Sequence, residues 1–296
     1  MWKSALSTIP AVCAALAVIA IHSWPSMASA DEKPHVVFVT GDCEYRSEVS
    51  MPMIARILEQ RHNMRCTVLY AVNQETGKRE PKFRGNIPGL EALKSADLAV
   101  FFVRFRSLPN EQFQLIQDYL ESGKPVVGLR TSTHAFLYPE DNELKTWNDG
   151  FGLKVFGQKW ITHHGHTSNT DVSIIPEKST HPVLRGIDGE FHCASWLYHV
   201  APLVGDCEPL LTGKSVHSEK SAEQQRAYPP TQPVAWTKTY KGARVFFTTL
   251  GHPQDFEQLS MRRLLINGIL WSLGKDVPKG GANADVVGSY VAPPTT

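Results

Sequence analysis

Apolar runs of two lengths alternate along the chain from residue 35 onward. Short runs rich in β-branched and aromatic residues predict buried strands at 35–40, 66–70, 98–103 and 125–130. Longer amphipathic segments predict helices over 51–61 and 109–123, and Pro109-Asn110-Glu111 is a typical helix start. Strands that are apolar on both faces and separated by helices predict an α/β fold, a parallel sheet with helices on both faces.

The pattern becomes irregular between residues 131 and 233, where most of the histidines lie. This region predicts a long insertion or a set of loops packed over the sheet, with one short strand at 171–175. Regular alternation returns in a predicted hairpin, 233–240 and 243–249 around Lys241-Gly242, followed by a helix over 259–273. The α/β domain is therefore predicted to span 31–275. Residues 276–296, rich in Gly, Ala and Pro, are predicted to be a disordered tail.

The first 30 residues have the pattern of a signal peptide. Lys3 supplies a positive start, residues 11–21 are almost wholly apolar, and Ala28-Ser29-Ala30 offers the small residues of a cleavage site. The apolar run is short for a bilayer span and Trp24-Pro25 interrupts it. We therefore expect export to the periplasm or the extracellular space, with cleavage near Ala30 and no stable membrane insertion afterwards.

Composition narrows the classes of partner. The chain has 296 residues, and 30 Lys and Arg nearly balance 29 Asp and Glu, without a basic run, so a nucleic-acid binder is disfavoured. A small neutral molecule is the expected partner, and self-association into a homo-oligomer stays open. Cys193 and Cys207 could pair in an oxidising compartment, or all four cysteines of the exported chain could be buried thiols.

Polar side chains follow four of the predicted strands. In an open α/β sheet the ligand lies beyond the carboxyl ends of the strands, so these residues are expected to meet at one edge. They are Asp42, Glu44, Tyr45 and Arg46 after the first strand, Arg104 after the third, Thr131, Ser132 and His134 after the fourth, and His252 after the last.

The densest histidine cluster is His163-His164-Gly165-His166. In an extended segment His164 and His166 would share one face and His163 would point away. Two imidazoles could then bind a divalent metal, with Asp42, Glu44 or His252 completing the set. The alternative is a metal-free polar loop in which His164 and His166 hydrogen-bond sugar hydroxyls or neighbouring carbonyls, so the cofactor is left open.

General acid/base chemistry is the predicted reaction type. His134 and His252 lie at strand ends, and the ordinary pKa of imidazole, about 6.5, suits proton transfer. Asp42 and Glu44 would assist as bases, while Tyr45, Arg46, Arg104, Thr131 and Ser132 would bind substrate. Ser132 is not predicted to be a nucleophile, because it lacks the flanking glycines of a nucleophile elbow.

Several segments, in order, resemble the trehalose-utilisation (ThuA-like) domain family. They are residues 127–136 (VGLRTSTHAF), 181–187 (HPVLRGI), 233–236 (PVAW), 244–252 (RVFFTTLGH) and 268–271 (GILW). The resemblance covers about residues 36–273 and implies a flavodoxin-like sheet of the class I glutamine amidotransferase-like superfamily. Glutaminases of that superfamily carry a cysteine at the elbow, whereas this chain has Arg130-Thr131-Ser132 there, so glutamine hydrolysis is not expected. The family commonly carries a histidine where Arg130 stands.

The sequence therefore predicts an exported carbohydrate-active protein. The resemblance implies a sugar as the small-molecule partner, and an enzyme acting on a disaccharide or a 3-keto-sugar is the leading hypothesis. The alternatives are a non-catalytic sugar-binding module and a metal-dependent hydrolase or isomerase.

Overall fold

The computed structural model describes residues 1–2 and 33–295, so the signal-peptide prediction lies almost entirely outside the described residues. The chain from Lys33 onward forms one compact unit. The strands are β1 (His35–Gly41), β2 (Arg65–Leu69), β3 (Leu98–Val103), β4 (Val126–Leu129), β5 (Thr162–His163), β6 (Asn169–Ile174), β7 (Glu190–Cys193), β8 (Tyr198–His199), β9 (Glu208–Val216), β10 (Thr231–Tyr240) and β11 (Ala243–Thr248). The helices are α1 (Ser47–Arg61), α2 (Asn110–Glu121), α3 (Trp147–Phe151), α4 (Ala222–Ala227) and α5 (Leu259–Ser272).

Nine strands form one mixed sheet in the order β2-β1-β3-β4-β11-β10-β9-β6-β7. The first five of these are parallel, and their order is the 2-1-3-4-5 order of flavodoxin-like folds. The predicted α/β fold is therefore confirmed. The hairpin of β10 and β11 is also present, with Lys241 and Gly242 both at positive φ in its turn.

Helices cover both faces of the parallel half. Successive residues of β1 point to opposite faces, so Val36 and Phe38 pack with α1 and α5, whereas Val37 and Val39 pack with α2 and α3. Helix α1 begins at Ser47, one turn earlier than the predicted start at Met51. The helix boundaries at α2 and α5 differ from the predicted ones by one or two residues.

The irregular middle region corrects one expectation. Rather than only packing over the sheet, it supplies β9, β6 and β7, which extend the sheet in antiparallel pairing beyond β10. β6 and β7 are short, and Pro209 and Gly213 interrupt the pattern of β9. Such strands give a weak periodic signal, which is why the sequence predicted only β6 among the three. A separate pair, β5 with β8, sits outside the main sheet and carries part of the histidine cluster.

The segment after α5 is packed against the domain, so the prediction of a disordered tail over 276–296 was wrong for the described part. Val277, Ala282 and Ala284 are buried. The Asn267 side chain accepts a hydrogen bond from the Ala282 amide, and Arg262 donates to the carbonyl of Ala284 at 2.8 Å. Side chains of α5 thus satisfy backbone groups of an extended segment whose own composition carries little hydrophobic signal.

Two further structural findings bear on the sequence predictions. Cys193 and Cys207 are both thiols and do not form a disulfide. In the part of the chain that the structure describes, no helix has the length and apolar character that a membrane span requires.

Candidate functional site

The loop after β1 is organised around Asp42. Its carboxylate is fully buried and accepts hydrogen bonds from the amides of Glu44 and Tyr45 and from Thr131 Oγ1, at 3.2 Å. Burial raises the pKa of Asp42 to about 7, although the two amide hydrogen bonds oppose the rise. Asp42, predicted to be catalytic or a metal ligand, is therefore placed beneath the loop, where it holds the loop's backbone.

A sharp turn joins β4 to the following 3₁₀ segment, and Arg130 occupies it with φ 43°. Its guanidinium is fully buried and donates to the carbonyls of Thr249 (2.9 Å) and Trp196 (3.3 Å). It also donates to the Tyr45 hydroxyl at 2.9 Å and lies over the rings of Tyr45 and Tyr198, 3.9 and 4.4 Å from their centroids. Arg130 thus connects residues at the carboxyl ends of the parallel strands with a residue of the insertion, at the centre of the site.

The hydroxyl residues after Arg130 face inward, away from solvent. Ser132 Oγ donates to the Phe101 carbonyl at 2.8 Å and accepts from the Val103 amide at 3.3 Å. Thr131 and Ser132 are both fully buried. The structure therefore does not bring these two predicted substrate-binding residues to the surface; they attach the turn to β3 and to the Asp42 loop.

His134 lies at the end of the 3₁₀ segment with its ring among aromatic side chains. The ring centroids of Phe105, Trp160 and Tyr198 are 5.1, 5.4 and 6.1 Å away. Burial, together with the positive charges of Arg104 and Arg130, holds the pKa of His134 well below its ordinary value. The imidazole is therefore neutral at pH 7.

The insertion adds two tryptophans and two histidines to the same place. The His163 and His166 rings are 4.8 Å apart, and both lie against Trp196, at 5.4 and 4.3 Å. Trp160 lies 6.2 Å from His163 and so links this group to His134. We call the residues His134, Trp160, His163, His166 and Trp196 the aromatic–imidazole cluster.

The prediction that His164 and His166 share a face was wrong. Gly165, at φ 114°, breaks the alternation of an extended segment, so that His163 meets His166 instead. His164 is fully buried on the other side of β5, where its Nδ1 lies 2.9 Å from Ser218 Oγ. A φ of 114° is a conformation that residues with a side chain rarely adopt, so the backbone at this position favours glycine.

His252 sits at the edge of the site, where it begins a short 3₁₀ turn after β11. Its ring lies 6.2 Å from that of Tyr45, and its Nδ1 accepts from the Gln254 amide. Buried Asp255 holds the turn by accepting from the amides of Gly251 and His252, both at 3.0 Å. Burial and Arg130 lower the pKa of His252, against the opposing charge of Asp255.

Ion pairs border the cluster. Arg104 Nε lies 3.2 Å from a Glu44 carboxylate oxygen, and its guanidinium packs over Phe105, 4.4 Å from the ring centroid. Arg46, predicted to bind substrate in the same set, turns instead to Glu48, with 2.6 Å between Nε and Oε1.

The residues present do not fit a divalent metal. Among residues 33–295, no group of three or more His, Cys, Asp or Glu side chains comes together in a way that could hold one. Asp42 is buried below the loop, and Glu44 is paired with Arg104.

The family of the chain follows from a match to the model of the trehalose-utilisation family, ThuA, over residues 35–272. The chain belongs to this family. A ThuA-like protein of Parabacteroides merdae is similar in structure, with 18% identity, a TM-score of 0.55, and 88% of this chain and 98% of that chain covered. A ThuA-like protein of Bacteroides uniformis gives 16% identity, a TM-score of 0.54, and coverage of 86% and 96%. No curated protein matches.

Three residues that contribute to the site were not among the predicted site residues: Arg130, His163 and Asp255. Arg130 was noted only as a departure from the family pattern, and His163 was expected to point away. The sequence signal that could have revealed the direction of His163 was the glycine within the histidine cluster, because a positive φ at Gly165 turns the next side chain to the opposite face.

A groove of about 480 Å³ lies elsewhere, on β6, β7, β9 and β10, with Asp171, Glu190 and Lys214 among its lining residues. None of its lining residues lies at the carboxyl end of a parallel strand or in the cluster. We place the candidate site at the cluster, because buried polar groups and aromatic faces converge there, whereas the groove is an open face of an antiparallel sheet.

Proposed function

We propose that the protein binds a sugar against the aromatic–imidazole cluster and acts on it by general acid/base chemistry. Membership of the trehalose-utilisation family indicates a carbohydrate-related role. The observation that carries the proposal is the pair of half-buried indoles, Trp160 and Trp196, on either side of His163. Indole faces pack against the C–H faces of a sugar ring, and neutral imidazoles hydrogen-bond its hydroxyls.

Hydrogen bonds indicate which nitrogen of each imidazole carries the proton. Thr133 Oγ1 lies 3.2 Å from both the Arg130 carbonyl oxygen and His134 Nδ1; we assign its proton to the bond with the carbonyl, which makes His134 Nδ1 the donor to Thr133. His134 Nε2 then has a free lone pair. His252 Nδ1 accepts from the Gln254 amide, so its proton is on Nε2. These assignments follow from the hydrogen-bond pattern of neutral rings.

The tautomers divide the roles. His134 Nε2 would accept a proton from the substrate as the general base, and the neutral His252 would hydrogen-bond a substrate oxygen through Nε2–H, which stabilises negative charge on that oxygen while the ring keeps its proton. His163, whose Nδ1 accepts from the Gly165 amide at 3.0 Å, would offer Nε2–H to a hydroxyl or carbonyl oxygen. Glu44 and Arg104 would orient hydroxyls at the rim. A 3-keto-sugar suits this set, because the keto group acidifies the neighbouring C–H.

Calorimetric titration with trehalose tests the binding half of this proposal. Trp160→Ala should weaken binding about fivefold, since an aromatic contact of this kind contributes on the order of 1 kcal/mol. Trp271→Ala, on α5 and outside the cluster, is the matched control and should bind as the native protein does. Equal loss in both variants, or no binding of trehalose and of its 3-keto form, would contradict the proposal.

Proton NMR of the sugar, followed over time with the native protein, tests the catalytic half. We expect conversion of trehalose or its 3-keto form, and a loss of rate in His134→Gln at unchanged affinity. Asp42 is buried beneath its loop and Glu44 pairs with Arg104, so both predicted carboxylate bases are engaged elsewhere, which favours a second candidate, a non-catalytic sugar-binding module. Binding without conversion would select that module. We also propose export, on the N-terminal sequence alone.

A further inference from the structure

A second cleft, of about 310 Å³, opens beside the loop that follows β1. Cys43, Arg46 and Glu48 line one wall, and residues 79–82 line the other. None of these residues has a role in the proposed reaction. The volume lies at the small end of the range for ligand pockets, about 300–1,000 Å³, and suits a single sugar-sized ring.

Most of the charged side chains of the cleft make contacts within the protein. Arg46 is paired with Glu48 at 2.6 Å, and the Arg79 guanidinium lies over the Tyr70 ring, 3.6 Å from its centroid. Glu80 accepts from Asn73 Nδ2 at 2.8 Å. Groups held in this way lose little conformational freedom when a ligand binds, which is a property of built binding sites.

A buried arginine builds the far wall. Arg106 is fully buried and donates to the carbonyls of Pro81 and Phe83, at 2.9 and 2.8 Å, and to that of Arg104, also at 2.8 Å. The wall is therefore joined to the end of β3. Arg104 in turn contacts Cys43 Sγ and packs over Phe105, whose ring lies 5.1 Å from that of His134, so Arg104 stands between the cleft and the aromatic–imidazole cluster.

We propose that this cleft is a second sugar subsite, which holds the neighbouring ring of a ligand bound at the cluster. The inference rests on the proposed function. Guanidinium, ammonium and carboxylate groups stand among mainly apolar lining surface, which suits a sugar ring, because its hydroxyls bind the charged groups and its C–H faces pack on the apolar surface. The preferred ligand is then a disaccharide or a glycoside rather than a monosaccharide.

Calorimetric titration of the full protein with D-glucose and with trehalose tests the inference. We expect trehalose to bind about tenfold more tightly than glucose. Arg79→Ala should remove most of that advantage and leave glucose affinity unchanged, because a hydrogen bond from a charged group is worth about a factor of ten or more. Arg56→Ala, an exposed arginine on α1, is the control and should change neither affinity. Thermal denaturation of each variant verifies that it is folded.

The outcomes separate the two proposals. Two results would overturn the subsite and leave the proposed function standing. In the first, the native protein binds glucose and binds trehalose no more tightly. In the second, Arg79→Ala binds trehalose with the same affinity as the native protein. Absence of binding for both sugars, and for their keto forms, would overturn the proposed function together with the subsite.

Discussion

Replacing Asp42 by Asn tests whether this carboxyl organises the loop or carries out chemistry. Asp42 is fully buried and accepts from two backbone amides and from Thr131, and burial raises its pKa from an ordinary 3.8 to about 7. Asparagine has the same shape, keeps an acceptor oxygen and does not titrate. The variant therefore removes the ionisation while it largely preserves the loop.

The sign and size follow from linkage between ionisation and folding. The folded-state pKa is raised, so the contribution of Asp42 to stability is fully present below pH 3.8 and is lost as the pH rises toward 7. Between about pH 4 and about pH 7, the contribution of Asp42 to the free energy of unfolding falls by about 3 kcal/mol. Each tenfold difference in proton affinity between the folded and unfolded states corresponds to about 1.4 kcal/mol, and the fall is less steep near each of the two pKa values. Every other titrating group is common to both proteins and cancels in the difference.

Urea denaturation of both proteins at several pH values in this interval measures the effect. We expect the free energy of unfolding of the native protein to fall, relative to that of Asp42→Asn, by about 3 kcal/mol as the pH rises. Trehalose affinity should be nearly equal in the two proteins at pH 7. If the free energies of unfolding of the two proteins change with pH in parallel, Asp42 is not a buried carboxyl with a raised pKa. If Asp42→Asn folds but loses all sugar conversion, the role of Asp42 is not purely organising.

Substitutions at three further residues test the supports of the site. Ser132→Ala should lower the free energy of unfolding by about 1–3 kcal/mol, since the Val103 amide loses its partner, without changing trehalose affinity. Glu219→Ala should weaken trehalose binding several-fold and speed amide exchange at Thr167, because Glu219 accepts from the Thr167 amide and hydroxyl, both at 2.8 Å. Glu219→Gln should retain both properties. Tyr290→Phe should lower stability by about 1 kcal/mol, because the hydroxyl donates to the carbonyl of Pro253, next to His252.

Topology was the part of the structure that the sequence predicted best. Runs such as residues 98–103 are apolar on both faces, and a strand of that kind is stable only inside a covered parallel sheet. The carboxyl ends of such strands share an edge, and the structure does bring Tyr45, Arg104 and His134 together there with the insertion.

Side-chain direction within a loop was not predictable in the same way. Asp42 and Glu44 are two residues apart and chemically alike, yet one is buried under three hydrogen bonds and the other pairs with Arg104. The difference arises from long-range partners such as Thr131, which no local pattern encodes. The ordered segment after α5 was missed for a related reason, because its partners are Asn267 and Arg262 on the preceding helix.

Hydrogen–deuterium exchange of the native protein, with and without saturating trehalose or its 3-keto form, tests the central claim most directly. We predict that the sugar slows exchange in residues 160–167 and 196–199 and around Phe105, where the cluster and its supports lie. Unchanged exchange there, with protection confined to the groove on β6 and β7, would contradict a sugar site at the carboxyl ends of the parallel strands.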